Sequence, residues 1–212
     1  KSTDTELPLQ FSAETNLMLY ERQYDLGISD NQENIIRTKA QVAGSISEEQ
    51  IIGIAFAMDN VFYKNNDFEN YTSLNLNPHY RLENDDWKIR LGAQVDMAFG
   101  FGKKFRAAPD VSVEYNFSDS YILYAQAKGG KLQNDFRRLE TFCPYGQITP
   151  QLDATYEQLN TAIGFKASPA AGLWLNLYGG YQNLKDDLFF QPTILTPAAS
   201  EPYPMLSINQ WN

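Results

Sequence analysis

From Tyr71 to Gly100 the chain reads as two alternating arms around a polar turn, ENDD. In the second arm Trp87, Ile89, Leu91, Ala93, Val95, Met97 and Phe99 share one parity. Lys88, Arg90, Gly92, Gln94, Asp96, Ala98 and Gly100 share the other. A period of two is the mark of a strand with one apolar and one polar face. In the first arm Leu74, Leu76, Tyr80 and Leu82 oppose Ser73, Asn75, Asn77, His79 and Arg81. The pair predicts an antiparallel hairpin with long arms.

The same period recurs along the chain. It predicts strands over Arg37–Ala43, Ile51–Tyr63, Phe105–Phe117, Tyr121–Gly130, Thr155–Ala167 and Gly172–Leu184. The links are GSISEEQ, KNNDFEN, FGKK, SDS, the stretch 131–154 and SPAAG. Pro109 lies inside a strand run, so its missing N–H calls for a bulge or an unpaired position. Residues 1–34 and 185–212 are the least regular. Leu7–Ala13 and Leu17–Leu26 read as two further strands, Asp30–Asn34 as a polar loop, and 131–154 and 185–212 as irregular. Helical periodicity is nowhere sustained. The fold expected is all-β: one β-barrel domain or barrel fragment over 1–212, an antiparallel up-and-down meander of about 8–10 strands forming part or all of a transmembrane β-barrel.

What covers the apolar parity decides the class. The links sort into compact turns at one end (ENDD, SDS, SPAAG) and longer connections at the other, FGKK excepted. Outer-membrane barrels show that asymmetry. Tyr80, Trp87, Phe117, Tyr121, Phe165 and, one step off parity, Trp174 flank the compact turns like one aromatic girdle at a membrane interface. The polar parity mixes Gly, Ala, Ser, Asn, Gln and Tyr with charges of both signs, as an enclosed lumen requires. The other reading is a soluble β-barrel or β-sandwich with the apolar face inward, binding an apolar ligand or a protein partner.

Composition narrows function. Mean hydropathy is negative, and no apolar run is long enough for a transmembrane helix; a barrel escapes that test because alternation averages its apolar residues away. A net charge of −9 argues against a nucleic-acid partner. One histidine, His79, makes a His-based metal cluster impossible, and one cysteine, Cys143, excludes an intrachain disulfide. No nucleophile elbow, Walker loop or CxxC is present, so neither catalytic residues, cofactor nor metal are expected. Asp85–Asp86, Asp186–Asp187 and Glu48–Glu49 read as solvated turn carboxylates, and Cys143 as a packed loop residue. The best contact candidates for a ligand or partner are Phe136, Arg137, Arg138, Phe142 and Tyr145 in the long loop; loop aromatics also fold back as rim caps. Lys1–Glu6 lacks the plan of a secretory leader, and the chain reads as a piece of something longer, whose missing strands would pair with its edges.

Four stretches carry a resemblance: LNLNPHYRLENDDWKIRLGAQVDMAFG, APDVSVEYNFSDSYILYAQAKGG, NDFRRLETFCPYG and LNTAIGFKASPAAGLWLNLYGGYQ. They resemble a family of outer-membrane β-barrel proteins from Bacteroidetes labelled TonB-dependent-receptor-like. The resemblance spans roughly residues 71–184. It implies a Gram-negative outer-membrane location, contact with outer-membrane lipid, and a place in a transport or receptor barrel. It carries over no individual functional residue.

Overall fold

The computed structural model describes residues 9–22, 32–64, 67–118, 120–148, 151–195 and 203–211. Nine strands form one antiparallel sheet: β1 (Leu9–Glu21), β2 (Gln32–Ser45), β3 (Gln50–Tyr63), β4 (Tyr71–Glu83), β5 (Trp87–Phe99), β6 (Phe105–Ser118), β7 (Tyr121–Leu132), β9 (Thr155–Ala170) and β10 (Leu173–Lys185). Each pairs with its neighbour in chain order, with β1 and β10 at the two edges. Between β7 and β9 lie α1 (Phe136–Phe142) and β8 (Gly146–Gln147). After β10 come β11 (Leu188–Leu195) and β12 (Tyr203–Gln210), which with β8 make a three-stranded sheet. The all-β meander expected from the pattern is the observed fold.

The sheet curves tightly. Parts of β5 and β7, and of β6 and β9, approach within 8 Å across an intervening strand. Flat strands two apart would sit about 9.6 Å from one another. Side chains of the polar parity bridge strands that are not neighbours: Asn77 on β4 to Asp110 on β6, and Lys131 on β7 to Ser73 on β4. The polar face is therefore the concave one.

Burial is inverted relative to a water-soluble domain. Ser73, Asn77, His79, Asp96 and Asp110 are buried on the concave side. Leu91 and Leu175 are 48% and 46% exposed on the convex side, and Val95 and Val111 beside them are half-buried. No dry interior gathers these four residues, as an inward-packed sandwich would. The convex surface continues with Ile54, Phe105, Ile163 and Leu177, all exposed.

Local chemistry fixes the turns. Asn84 Oδ1 accepts the N–H groups of Asp86 (3.2 Å) and Trp87 (2.8 Å), closing ENDD. FGKK stays short because Gly100 and Gly102 take positive φ (94° and 92°). Asp153 then accepts the Lys103 N–H at 3.1 Å. Pro109 faces Ala93 in β5, while on its other side the β6–β7 ladder stops at Asp110 opposite Lys128. That is the unpaired position its missing N–H demanded. Pro78 leaves a similar gap in the β4–β5 ladder. The Asn77 amide fills it, donating to the Ala93 carbonyl at 3.1 Å.

Four expectations are corrected. The two strands expected over Leu7–Ala13 and Leu17–Leu26 are one strand, β1, where described; Leu7 and residues 23–31 lie outside the described residues. The polar loop expected over Asp30–Asn34 yields Gln32–Asn34 to β2. Glu33 is buried there because its carboxylate accepts the Phe136 N–H at 2.8 Å. The irregular stretch 131–154 contains α1, whose first turn is held by Asp135 accepting the Arg138 N–H at 2.8 Å. The loop-like tail forms β11 and β12, in a ladder that accommodates Pro192 and Pro204.

Candidate functional site

The concave face holds the chain's chemistry, in three tiers from the compact turns upward. Nearest those turns, Arg90, Asp110 and Asn77 form a closed triangle. Arg90 Nε donates to Asp110 Oδ2 at 2.8 Å, Arg90 Nη2 to Asn77 Oδ1 at 2.7 Å, and Asn77 Nδ2 to Asp110 Oδ2 at 2.9 Å. Mutual bonding offsets the desolvation of the buried carboxylate. His79 lies beside them, its Nδ1 3.1 Å from the Asn77 carbonyl oxygen. Its ring rests over Gly53, where a Cβ would come within 3.1 Å.

The middle tier surrounds a cavity of about 470 Å³. Arg37 grips Asp59 through two bonds, 2.6 and 3.0 Å. Asn75 donates to Gln94 and to Asp96, each at 2.9 Å. The Lys131 ammonium donates to the Ser73 hydroxyl. Gly130, at φ 145°, marks a register shift that interrupts the β7–β9 ladder next to Lys131.

The top tier is a cap. Phe68, Phe136, Leu139, Cys143, Ile148, Leu188 and Ile208 make a small apolar core under the long connections. Arg106 ties it to the wall, reaching Asp153 at 3.0 Å and Asp186 more closely. Gln210 donates to the Asp153 and Asp186 carbonyls at 2.6 and 2.7 Å. Asp186 is 4% exposed with φ 54°, so the solvated turn role expected for the Asp186–Asp187 pair fails for Asp186: a strand-end kink turns it onto Arg106. Glu48, Glu49, Asp85 and Asp86 are exposed as expected.

The structure separates the five loop candidates. Phe136 is 2% exposed, a core residue of the cap. Arg137 is exposed on α1. Arg138 lines the middle cavity. Phe142 lies 6.0 Å from Phe190 on the outside of the cap, and Tyr145 is 67% exposed. Of the five, only Arg138 joins the concave cavity. The residues missed, Arg37, Asp59, Asp96 and Lys131, are charges on strands; their signal was charge on the polar parity of an otherwise apolar-alternating run.

At the compact-turn rim, the rings of Trp87, Tyr115, Phe117, Tyr121 and Phe165 form a continuous ladder with centroids 4.4–6.2 Å apart. Tyr115 belongs to this girdle and was not foreseen. Trp174 is 80% exposed beside a register shift between Leu173 and Leu175, which accounts for its odd parity.

No family model and no curated protein matches the sequence. Among solved structures the chain is similar to the FrpB iron transporter from Neisseria meningitidis (F3-3 variant), with a TM-score of 0.50 and 15% identity. The fold is that of an outer-membrane β-barrel wall. The match covers 82% of this chain and 31% of the transporter, so the chain spans about a third of that protein's length. In barrels of that fold each strand offers one face outward and one to the enclosed space, and the alternation of burial along these strands has the same period. No helix among the described residues is long and apolar enough to cross a membrane, which says nothing of crossing by strands.

Proposed function

We propose that this chain is part of the wall of an outer-membrane transport or receptor barrel in a Gram-negative cell, of the TonB-dependent-receptor-like kind found in Bacteroidetes. The convex face meets lipid. The concave face lines a passage, and the cap sits over its outer mouth. The protein acts by binding and passage, without covalent chemistry and without nucleic acid. The observation that carries the reading is the burial of Asp96 and Asp110 behind a wall whose Leu91 and Leu177 stand exposed. Charges inside and leucines outside are stable together only where the outside is hydrocarbon. The link to the Bacteroidetes family rests on the NFSDSYILYAQAKGG and IGFKASPAAGLWLNLYGGY runs.

Both sheet edges support a larger assembly. β10 is exposed almost throughout, on both faces, and its outer edge has no partner strand among the described residues. Lipid tolerates no unpaired strand edge, so the remaining strands of a barrel, or another chain, complete the ladder.

Spin labels test the reading. With Cys143 replaced by serine, single cysteines at Leu91, Leu177, Ser112 and Gln126 are labelled in the full-length protein in vesicles. Labels at Leu91 and Leu177 collide mainly with dissolved oxygen, and those at Ser112 and Gln126 mainly with a water-soluble nickel chelate. The opposite pattern, or protection of Leu91 from both, overturns the membrane reading in favour of a soluble binding module.

A further inference from the structure

We propose that the concave cavity beneath α1 binds a small hydroxylated oxyanion, a carboxylate or phosphate borne on a sugar-like skeleton. The inference rests on the concave face being an enclosed passage, and it adds a specific site to that reading. At about 470 Å³ the cavity falls among small-molecule sites. Its charged lining is four cations against three carboxylates, in a chain whose net charge is −9.

Two of the three carboxylates are committed. Asp59 gives both oxygens to Arg37. Asp135 caps α1. Asp96 accepts from Asn75 through Oδ1, and its Oδ2 is buried without a partner.

Arg37 is matched by Asp59, but two of the four cations, Lys131 and Arg138, have no ion pair among the described residues. Among the described residues the Arg138 guanidinium has no hydrogen-bond or ion-pair partner, although Arg138 lines the cavity. Lys131 donates to a neutral hydroxyl, Ser73, with the Tyr71 ring 5.7 Å away. No carboxylate lies within ion-pair distance of it among the described residues; Asp96, Asp153 and Asp59 act on it from farther off. Lys39 meets Glu14 at a loose 3.8 Å. A half-buried cation without an ion pair is costly. An oxyanion shared between Lys131 and Arg138 supplies the missing charge through charge-assisted hydrogen bonds.

The rest of the lining sets the skeleton. Asn75, Gln94, Gln133 and Ser73 offer amides and a hydroxyl, and no aromatic side chain takes part. Those groups suit ligand hydroxyls, not a stacked ring or an alkyl chain.

The test uses three six-carbon probes on the full-length protein in detergent micelles at low salt, by isothermal titration: gluconate, glucose 6-phosphate and glucose. At least one of the two anions binds, and glucose binds about tenfold more weakly or worse. Lys131→Met and Arg138→Gln each weaken the anion about tenfold or more. Lys104→Gln, an exposed site on a short turn, leaves it unchanged. Whichever anion binds identifies carboxylate or phosphate as the recognised group. Arg138 sits on the cap, so its variant keeps the wall intact should Lys131→Met misfold. The proposal is overturned if neither anion binds below roughly 10 mM, if glucose binds as well as the anions, or if Arg138→Gln binds like the parent. Lipid exposure of the Leu91 label reports on the wall separately: binding lost with Leu91 still in lipid sinks the site alone.

Discussion

A single charge placed at Leu91 separates a lipid-facing wall from a water-facing one. Leu91 is 48% exposed and points away from the concave face. β5 has 13 residues; at about 3.3 Å per residue and a tilt of about 40° it spans about 30 Å along the barrel axis. The apolar band of such a barrel is about 25 Å tall. Ala93 is the central residue of β5, so Leu91 lies about 5 Å from the midplane. Arginine near the midplane costs about 2–4 kcal/mol, falling toward the interfaces. We therefore expect Leu91→Arg to cost about 2–3 kcal/mol, a 30- to 150-fold shift in the folding equilibrium. In water the same replacement at a half-exposed site changes stability by about 0.5 kcal/mol or less. The assay is reversible folding of the full-length protein into phospholipid vesicles, titrated with guanidinium. Gln41→Arg, on the polar parity of β2, is the matched control and should be near neutral. A Leu91→Arg variant as stable as the control refutes the lipid-facing assignment.

Three further outcomes follow from particular contacts. Phe136→Ala should cost about 3–4 kcal/mol within the cap, read as faster maleimide labelling of the buried Cys143 with the wall's circular dichroism unchanged. Arg106→Leu should leave the buried Asp186 carboxylate with only the more distant Lys103 ammonium, 3.4 Å away, at a cost of about 2–3 kcal/mol, seen as faster amide exchange across β11 and β12 while β4 and β5 stay protected. Gly164→Ala would place a Cβ 2.5 Å from the Tyr124 ring, so it should destabilise by about 1–3 kcal/mol. A Gly164→Ala, Tyr124→Ala double variant should lose less than the two single losses summed, by denaturant titration.

The strands legible in the sequence are those where parity and hydropathy agree. β4 and β5 were readable almost residue by residue, because Leu74 to Leu82 and Trp87 to Phe99 keep one apolar phase. β1 read as two pieces because Glu14, Thr15 and Asn16 put polar residues on both parities at its middle. α1 is seven residues long, under two turns, and buries only Phe136 and Leu139; that is too short for a 3.6-residue period to show. Pro192 and Pro204 hid β11 and β12, although edge positions accept proline. The site was less legible than the fold. A long loop with aromatics and arginines draws attention, yet Phe136 is there to hold the cap together. The chemistry lies in Arg37, Asp59, Asp96 and Lys131. The sequence places each on the polar parity, but which of them meet depends on register and curvature. Lys131 reaches Ser73 only because three steps of a curved sheet bring β7 over β4.

That curvature ties the local chemistry to the larger assembly. A flat sheet would leave Asp110 and Asn77 separated by the full width of β5. Bending closes the gap, and Arg90 on β5 completes the triangle. Inward glycines make room for it. A Cβ on Gly92 would lie 2.9 Å from the Pro78 carbonyl oxygen and 3.0 Å from the His79 Cβ. A sheet bent this way, apolar outside and charged within, cannot bury its convex face against itself. If lipid covers that face, the free edges of β1 and β10 cannot be left open, because hydrocarbon offers their N–H and C=O groups no partner. Lipid contact and edge pairing therefore stand or fall together: a wall found in the bilayer with either edge unpaired would contradict the energetics on which the membrane reading is built.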